Sequence, residues 1–242
     1  MVKRDLVLRY KQTFMGAAWA VFMPLVNTAI FSFIFTRIAR VDVGMPYAVF
    51  AYSGLVAWNL FAASQRFSLV SLTSNIPLVT KVYFPREIFP VSVMLVCLVD
   101  FAIANVVLVL MLLWYGMSPS ASIVYLPIVL LVHVTFTTGV GLLLAMGNLF
   151  YRDVKYLFEV ALAAWMFATS VLYPVSLMGG RTAKVLHLNP MTPIIEGYRG
   201  AMITGESPFT PWFGIAALVS ILVLAVAWIT FHRAEYSFAE RV

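Results

Sequence analysis

Residues 88–115 read IFPVSVMLVCLVDFAIANVVLVLMLLWY, a run of 28 residues with one formal charge, Asp100. As an α-helix this run rises about 42 Å, more than the ~30 Å hydrocarbon core of a bilayer. A segment so long and so apolar has no water-facing side, and it predicts a transmembrane helix. Similar runs extend over 14–35, 47–65, 123–147, 157–173 and 212–231, separated by charged segments and by segments rich in Pro and Gly. The chain of 242 residues is 62% hydrophobic and 11% charged, whereas a soluble domain carries about 25% charged residues. The prediction is one all-α integral membrane domain over residues 1–242 with six transmembrane helices. Little chain is left for a separate soluble domain, so chemistry in the water phase must come from a partner.

Orientation follows from Lys and Arg in the connecting segments. With a cytoplasmic N-terminus, eleven of the sixteen basic residues fall inside and five outside, which favours both termini in the cytoplasm. The net charge of +6 fits helix ends facing anionic lipid, and no nucleic-acid partner is expected. Cys97 is the only cysteine and cannot form an internal disulfide. No cleavable signal peptide is expected, because the first apolar run is too long for one and lacks a small-residue cleavage site.

Three segments break the helix-and-loop pattern. In residues 1–13, Val2, Leu6 and Tyr10 share a helical face beside Lys3, Arg4, Arg9 and Lys11, which predicts a helix lying in the inner membrane interface. Residues 66–87 form an inside segment that is long for a helix connection, with a short cytoplasmic helix expected near 67–74. Residues 174–211 hold seven Gly and Pro residues between Gly179 and Gly205. Within that segment Met191–Ile203 is apolar except for Glu196 and Arg199. Thr192 and Pro193 look like an N-cap and first helical residue. A helix this short cannot cross, so it reads as re-entrant or surface-lying and shielded by protein. Glu196 and Arg199, three apart, are placed to pair.

Some chemistry is missing. There is no G-x-x-x-x-G-K-[ST] phosphate loop and no Gly-Lys dipeptide, so the chain is not expected to hydrolyse ATP. His133, His187 and His232 are scattered, and no metal site is expected from them. Asp100 is the one acid deep in a span, at a cost of about 2.5–3.5 kcal/mol on insertion scales. It reads either as a proton or ion site or as a helix contact through Ser92, Asn105 or a neighbouring helix. A lone acid without an embedded basic partner favours the structural reading. Aromatic residues, 15% of the chain, recur at helical steps: Trp19 and Phe22 in the first span, Tyr47, Phe50, Trp58 and Phe61 in the second. Such rings either stack on the apolar faces of sugars or serve as ordinary packing and interfacial belts.

Four motifs together resemble the permeases of type-2 ABC exporters that move O-antigen and related polysaccharides. They are RDLVLRYKQTFMGAAWAVFMPL at 4–25, TKVYFPREIFP at 80–90 followed by Val99-Asp100-Phe101, NLFYRDVKY at 148–156, and LNPMTPIIEGYRGAM at 188–202. The resemblance covers essentially the whole chain. It implies a homodimer in the bacterial inner (cytoplasmic) membrane with two copies of a separate ABC ATPase. ATP and magnesium would bind on that partner, and no cofactor is expected on this chain. The implied cargo is a glycan linked to undecaprenyl diphosphate. By similarity, residues 1–13 form the N-terminal interface helix, and its Lys3, Arg4, Arg9 and Lys11 are expected to attract the lipid diphosphate electrostatically. Arg66 and Phe67 lie in a cytoplasmic coupling helix that docks on the ATPase, with Tyr151, Arg152 and Asp153 as a second contact. Asn189, Pro190, Glu196 and Arg199 belong to re-entrant periplasmic gate helices. Aromatics of the first, second and fifth spans, Trp165 and Tyr173 included, line the polymer path. Teichoic acid or a small molecule is the alternative cargo. A rival of another class is a carrier coupled to protons through Asp100. A membrane glycosyl- or acyltransferase would need paired carboxylates or a histidine-based site facing one membrane surface, and the sequence holds neither.

Overall fold

A computed structural model describes residues 2, 18–38, 43–76, 78, 85–236 and 238. Apart from residue 2, the expected interface helix at 1–13, with Lys3, Arg4, Arg9 and Lys11, lies outside the described residues, as do residues 80–84 of the motif at 80–90. Among the described residues every regular element is helical. In chain order the α-helices are α1 (Trp19–Phe33), α2 (Tyr47–Ser71), α3 (Ile88–Trp114), α4 (Leu126–Phe150), α5 (Val154–Phe167), α6 (Gly180–Leu188), α7 (Met191–Arg199) and α8 (Pro211–Glu235).

Four helices are long and apolar enough to cross a bilayer: α2, α3, α4 with the 3-10 turn Ala121–Tyr125 that leads into it, and α8. Six spans were expected. The first is represented by α1 and the π-helical turn Ile34–Ile38, a shorter apolar helix with Pro24 inside it. The fifth is represented by α5, whose 14 residues rise only about 21 Å. The sequence pattern carries that span on to Tyr173, but α5 stops at Phe167. Beyond it, the Thr169 hydroxyl donates back to Trp165 O at 2.7 Å, and Pro174 disfavours helical backbone at Tyr173.

The helix α2 sits at the centre. Of its most apolar 18-residue window 83% is buried, against 22% for α8, although α2 is the less apolar of the two. Lipid demands apolar side chains, whereas a helix surrounded by helices can carry polar ones that find partners. Gln65 Nε2 donates to Thr137 O at 2.9 Å, and Asn148 Nδ2 donates to Leu69 O at 2.9 Å. These two bonds fix α4 on α2. On its other side α4 takes α8 at very short range: a Cβ on Gly139 would stand 2.8 Å from Leu224 N, so only glycine fits there.

The separate short helix expected near 67–74 is instead the last turn of α2. Nothing in Gln65–Ser71 interrupts a helix. The chain then closes with the 3-10 turn Thr73–Asn75, where Asn75 Nδ2 donates to Ser71 O at 2.8 Å. The helix α7 also begins earlier than expected. Pro190, not Thr192, takes the N-cap position, and Asn189 just before it accepts at its Oδ1 from Met191 N at 3.2 Å. Nine residues rise about 14 Å, too little to cross, and all of α7 except Glu196 is buried. It packs on α2, α4 and α8. A π-helical turn over Gly200–Thr204 ends it at Gly205, whose φ of 78° suits glycine. Ser120 N donates to Met202 O and Ser122 Oγ to Gly205 O, at 3.2 and 2.9 Å, tying that turn to the start of α4.

Candidate functional site

Two clusters occupy opposite ends of α2. At its N-terminal end the chain after α5 turns without helical hydrogen bonds, and its carbonyl oxygens point inward. Arg199, at the end of α7 and 6% exposed, supplies their donors. Its Nη1 donates to Ser170 O at 2.6 Å and its Nη2 to Val171 O at 2.6 Å. Longer bonds reach Phe50 O (3.3 Å) and Ser53 Oγ (3.4 Å). The guanidinium lies 3.7 Å over the Phe50 ring, a cation–π distance. Burial pulls the Arg199 pKa down to about 9 while Glu196 and Tyr47 hold it up, so the group stays charged at neutral pH. Its charge faces the negative end of α5 instead of a carboxylate.

Gly54 makes room for this arrangement. A Cβ there would sit 2.5 Å from Val171 O. Two further side chains hold the same turn. Tyr47 donates its hydroxyl to Leu172 O at 2.7 Å. Asn189 Nδ2 donates to Ala168 O at 3.0 Å and Thr169 Oγ1 at 2.7 Å, while its Oδ1 accepts from Trp165 Nε1 at 2.9 Å. Five residues singled out in the sequence as gate or aromatic path (Tyr47, Phe50, Trp165, Asn189 and Arg199) thus meet around one turn. Pro190 occupies the N-cap position beside them.

The expected Glu196–Arg199 pair does not form. Arg199 turns inward, and Glu196 Oε2 lies 3.5 Å from His187 Nδ1, with His187 stacked on Trp212. Burial pushes the Glu196 carboxyl up to about 7, opposed by Arg199 and reinforced by Glu206, and it pulls His187 down. The 3.5 Å contact is therefore not a full ion pair near neutrality.

The aromatic residues divide into two groups. Tyr47, Phe50 and Trp58 are each 4% exposed and Phe61 is fully buried. Phe61 stacks on Phe136 at 5.7 Å and meets Trp165 edge-on at 5.1 Å. In this conformation these second-span rings are core, covered by neighbouring helices. Trp19 and Phe22, 41% and 44% exposed, form a T-shaped pair facing outward. Tyr173 is half-buried, its hydroxyl donating to Phe167 O. Two partner rings carry no signal of their own in the sequence: Phe136, which stacks on Phe61 of α2, and Phe35, which stacks on Tyr47 at 5.4 Å.

At the other end of α2, Arg66 Nε donates to both Glu159 oxygens of α5, at 3.3 and 3.1 Å. This bridge is half-exposed. Phe67 beside it is exposed, as are Tyr151, Arg152 and Asp153 in the tight α4–α5 connection. An aromatic and charged surface therefore lies next to a bridge joining two helices. Asp100 is half-buried in α3. Ser92 and Asn105 each donate to backbone carbonyls of that helix, Phe89 O and Phe101 O.

Residues 1–203 match the family of ABC-2 type transporters. Over 241 residues, 99% of this chain and 92% of the relative, the sequence is 30% identical to the O-antigen export system permease protein RfbA of Klebsiella pneumoniae. Over 245 residues, 100% of this chain and 94% of the relative, it is 29% identical to the protein of the same name from Myxococcus xanthus.

Proposed function

The chain belongs to the ABC-2 type transporter membrane family, and from that premise we propose that it exports a lipid-linked polysaccharide of O-antigen type. It is a multi-pass membrane permease subunit and not an enzyme. In this reading two copies assemble in the bacterial inner membrane with two copies of a separate ABC ATPase, which binds ATP and magnesium. Both termini face the cytoplasm. The cargo is a glycan on undecaprenyl diphosphate.

The observation that carries the reading is similarity along nearly the whole length to permeases named for O-antigen export. The geometry is consistent with its mechanics. ATP-driven closure of the ATPase dimer would press on the surface formed by Phe67, Tyr151, Arg152 and Asp153. The Arg66–Glu159 bridge would pass that displacement to α2 and α5 together. At the far end of the same two helices, Arg199 and Asn189 hold the turn after α5 against α7. A shift of α2 relative to α5 must therefore move or break the contacts at that turn. Rigid helices that switch between packed arrangements are the usual carriers of such a motion.

The test is to co-purify the permease with the partner ATPase and measure ATP hydrolysis with different cargos. Undecaprenyl-diphosphate glycan should stimulate hydrolysis over the basal rate, and the same glycan without its lipid should not. Equal rates with both, or stimulation by a teichoic-acid lipid alone, would overturn the assignment of cargo.

A further inference from the structure

Where α3 begins and α8 ends, three potential ligands meet. Glu87 stands immediately before α3. His232 and Glu235 lie in the last turn of α8, three residues apart and so on one face of that helix. One side-chain donor atom from each of the three lies within 4.8 Å of the other two. The surroundings are built. Arg86 Nη1 donates to Glu235 O, and its backbone N donates to Glu235 Oε1 at 3.3 Å. The fully buried Phe238 packs on Phe231 with the Arg86 guanidinium 5.7 Å over its ring.

The tautomer of His232 follows from its neighbours. Nδ1 lies 3.1 Å from Trp228 O. A carbonyl only accepts, so Nδ1 carries the hydrogen. In the neutral ring Nε2 then carries the lone pair, and it lies 3.7 Å from Glu87 Oε1. An imidazole whose far nitrogen is tied to a backbone carbonyl is the usual arrangement at metal-binding histidines. The Trp228 ring, 4.8 Å away, braces the imidazole. Glu87 Oε2 is buried and makes no hydrogen bond. A proton on Nε2 would answer only part of this. The distance of 3.7 Å is too long for a hydrogen bond, and Glu87 Oε2 would stay unpaired. A divalent cation among the three would satisfy all of them.

We propose that Glu87, His232 and Glu235 form a binding site for one divalent transition-metal ion of the zinc or manganese type. The imidazole selects against calcium and magnesium, which prefer all-oxygen shells, and without a thiolate the site does not favour copper(I). Tetrahedral zinc with bonds of about 2.0–2.2 Å needs ligand atoms roughly 3.3 Å apart, so the site contracts on binding. The half-exposed His232 can make that adjustment by rotating its side chain. Water fills the remaining coordination position. The bound ion staples the start of α3 to the end of α8, adding to the contacts made there by Arg86 and Phe238. In the sequence the signal was the H-x-x-E spacing of His232 and Glu235; Glu87 is remote in sequence and comes to the site only through the fold.

The test uses the full-length protein in detergent, purified without a polyhistidine tag and stripped with chelator. Cobalt(II) is titrated and followed by its visible absorption, with zinc as competitor, and bound metal is counted by mass spectrometry. The expected result is one ion per chain, displaced by zinc, with a rise in thermal stability on loading. Glu87→Gln and His232→Gln should each lose more affinity than the ~10–100-fold that removal of an outer-shell partner costs. If either variant is poorly folded, Glu235→Gln substitutes for it. Absence of stoichiometric cobalt, zinc or manganese in the wild type would overturn the proposal, as would unchanged affinity in folded variants.

Discussion

Arg199→Met isolates what the buried guanidinium does. The substitution keeps a long side chain but deprives Ser170 O and Val171 O of donors held at 2.6 Å. Leaving a buried acceptor unsatisfied costs about 1–3 kcal/mol, and losing the contact over Phe50 about 0.5–2 kcal/mol. Phe50 O keeps other partners, including Ser53 Oγ at 2.8 Å, and adds little. Against these losses stands the relief of no longer burying a charge, several kcal/mol on its own. With two carbonyls losing their donors at once the losses outweigh the relief by about 1–4 kcal/mol, which for a chain of this size lowers the midpoint of thermal unfolding by about 2–16 °C. Arg199→Lys should fall between, since an ammonium cannot reach two carbonyls with one planar fork. Gly54→Ala places a Cβ 2.5 Å from Val171 O and should produce the same lesion, so the double variant should be less than additive. The assay is the fraction of detergent-solubilised protein that remains monodisperse after heating. An Arg199→Met midpoint less than about 2 °C below the wild type would mean that Tyr47 and Asn189 alone hold the turn after α5.

Other outcomes follow from the same contacts. Trp58→Ala, at a site 4% exposed, should cost about 3–5 kcal/mol and reduce folded yield, whereas Trp19→Ala at 41% exposure should not. Slowed export from Trp58→Ala protein of normal stability would make Trp58 part of the path. The folded Glu196 carboxyl titrates near 7 instead of 4.5, so its stabilising contribution is complete below 4.5 and is lost as pH rises through 7. Wild type should therefore lose thermal stability relative to Glu196→Gln across that window, and parallel profiles of the two proteins would contradict it. Arg66→Glu breaks a half-exposed bridge of at most about 1 kcal/mol. It should leave the fold intact while lowering cargo-stimulated ATP hydrolysis, with Glu159→Arg in the same chain restoring it. Normal coupling in the single variant would remove the bridge from the transmission path.

The long helices could be read directly, because lipid imposes length and apolarity on every exposed span. The run at 88–115 differs from α3 by a single residue at its C-terminal end. The sequence was less informative wherever two solutions satisfy the same pattern. Arg199 stands three residues from Glu196, and spacing alone makes them partners. The orphaned carbonyls of Ser170 and Val171 that capture it arise only when α5 ends early. Trp58 and Phe61 repeat at helical spacing whether their face meets a sugar or another helix, and only the packing of α4 and α5 decides that they are covered. The family motif marks Asn189 as a gate residue, but its bonds to Met191, Trp165 and Thr169 depend on a turn that no periodicity describes.

This permease is expected to move lipid-linked glycan only when a separate ATPase drives it. The most direct measurement reconstitutes the purified chain in vesicles loaded with undecaprenyl-diphosphate glycan, alone or with the partner ATPase, and follows arrival of the glycan in the opposite compartment with ATP present. No transfer is expected from the chain alone, and ATP-dependent transfer is expected from the complex. Active transfer by the lone chain, or none by an assembled complex that hydrolyses ATP, would contradict this expectation.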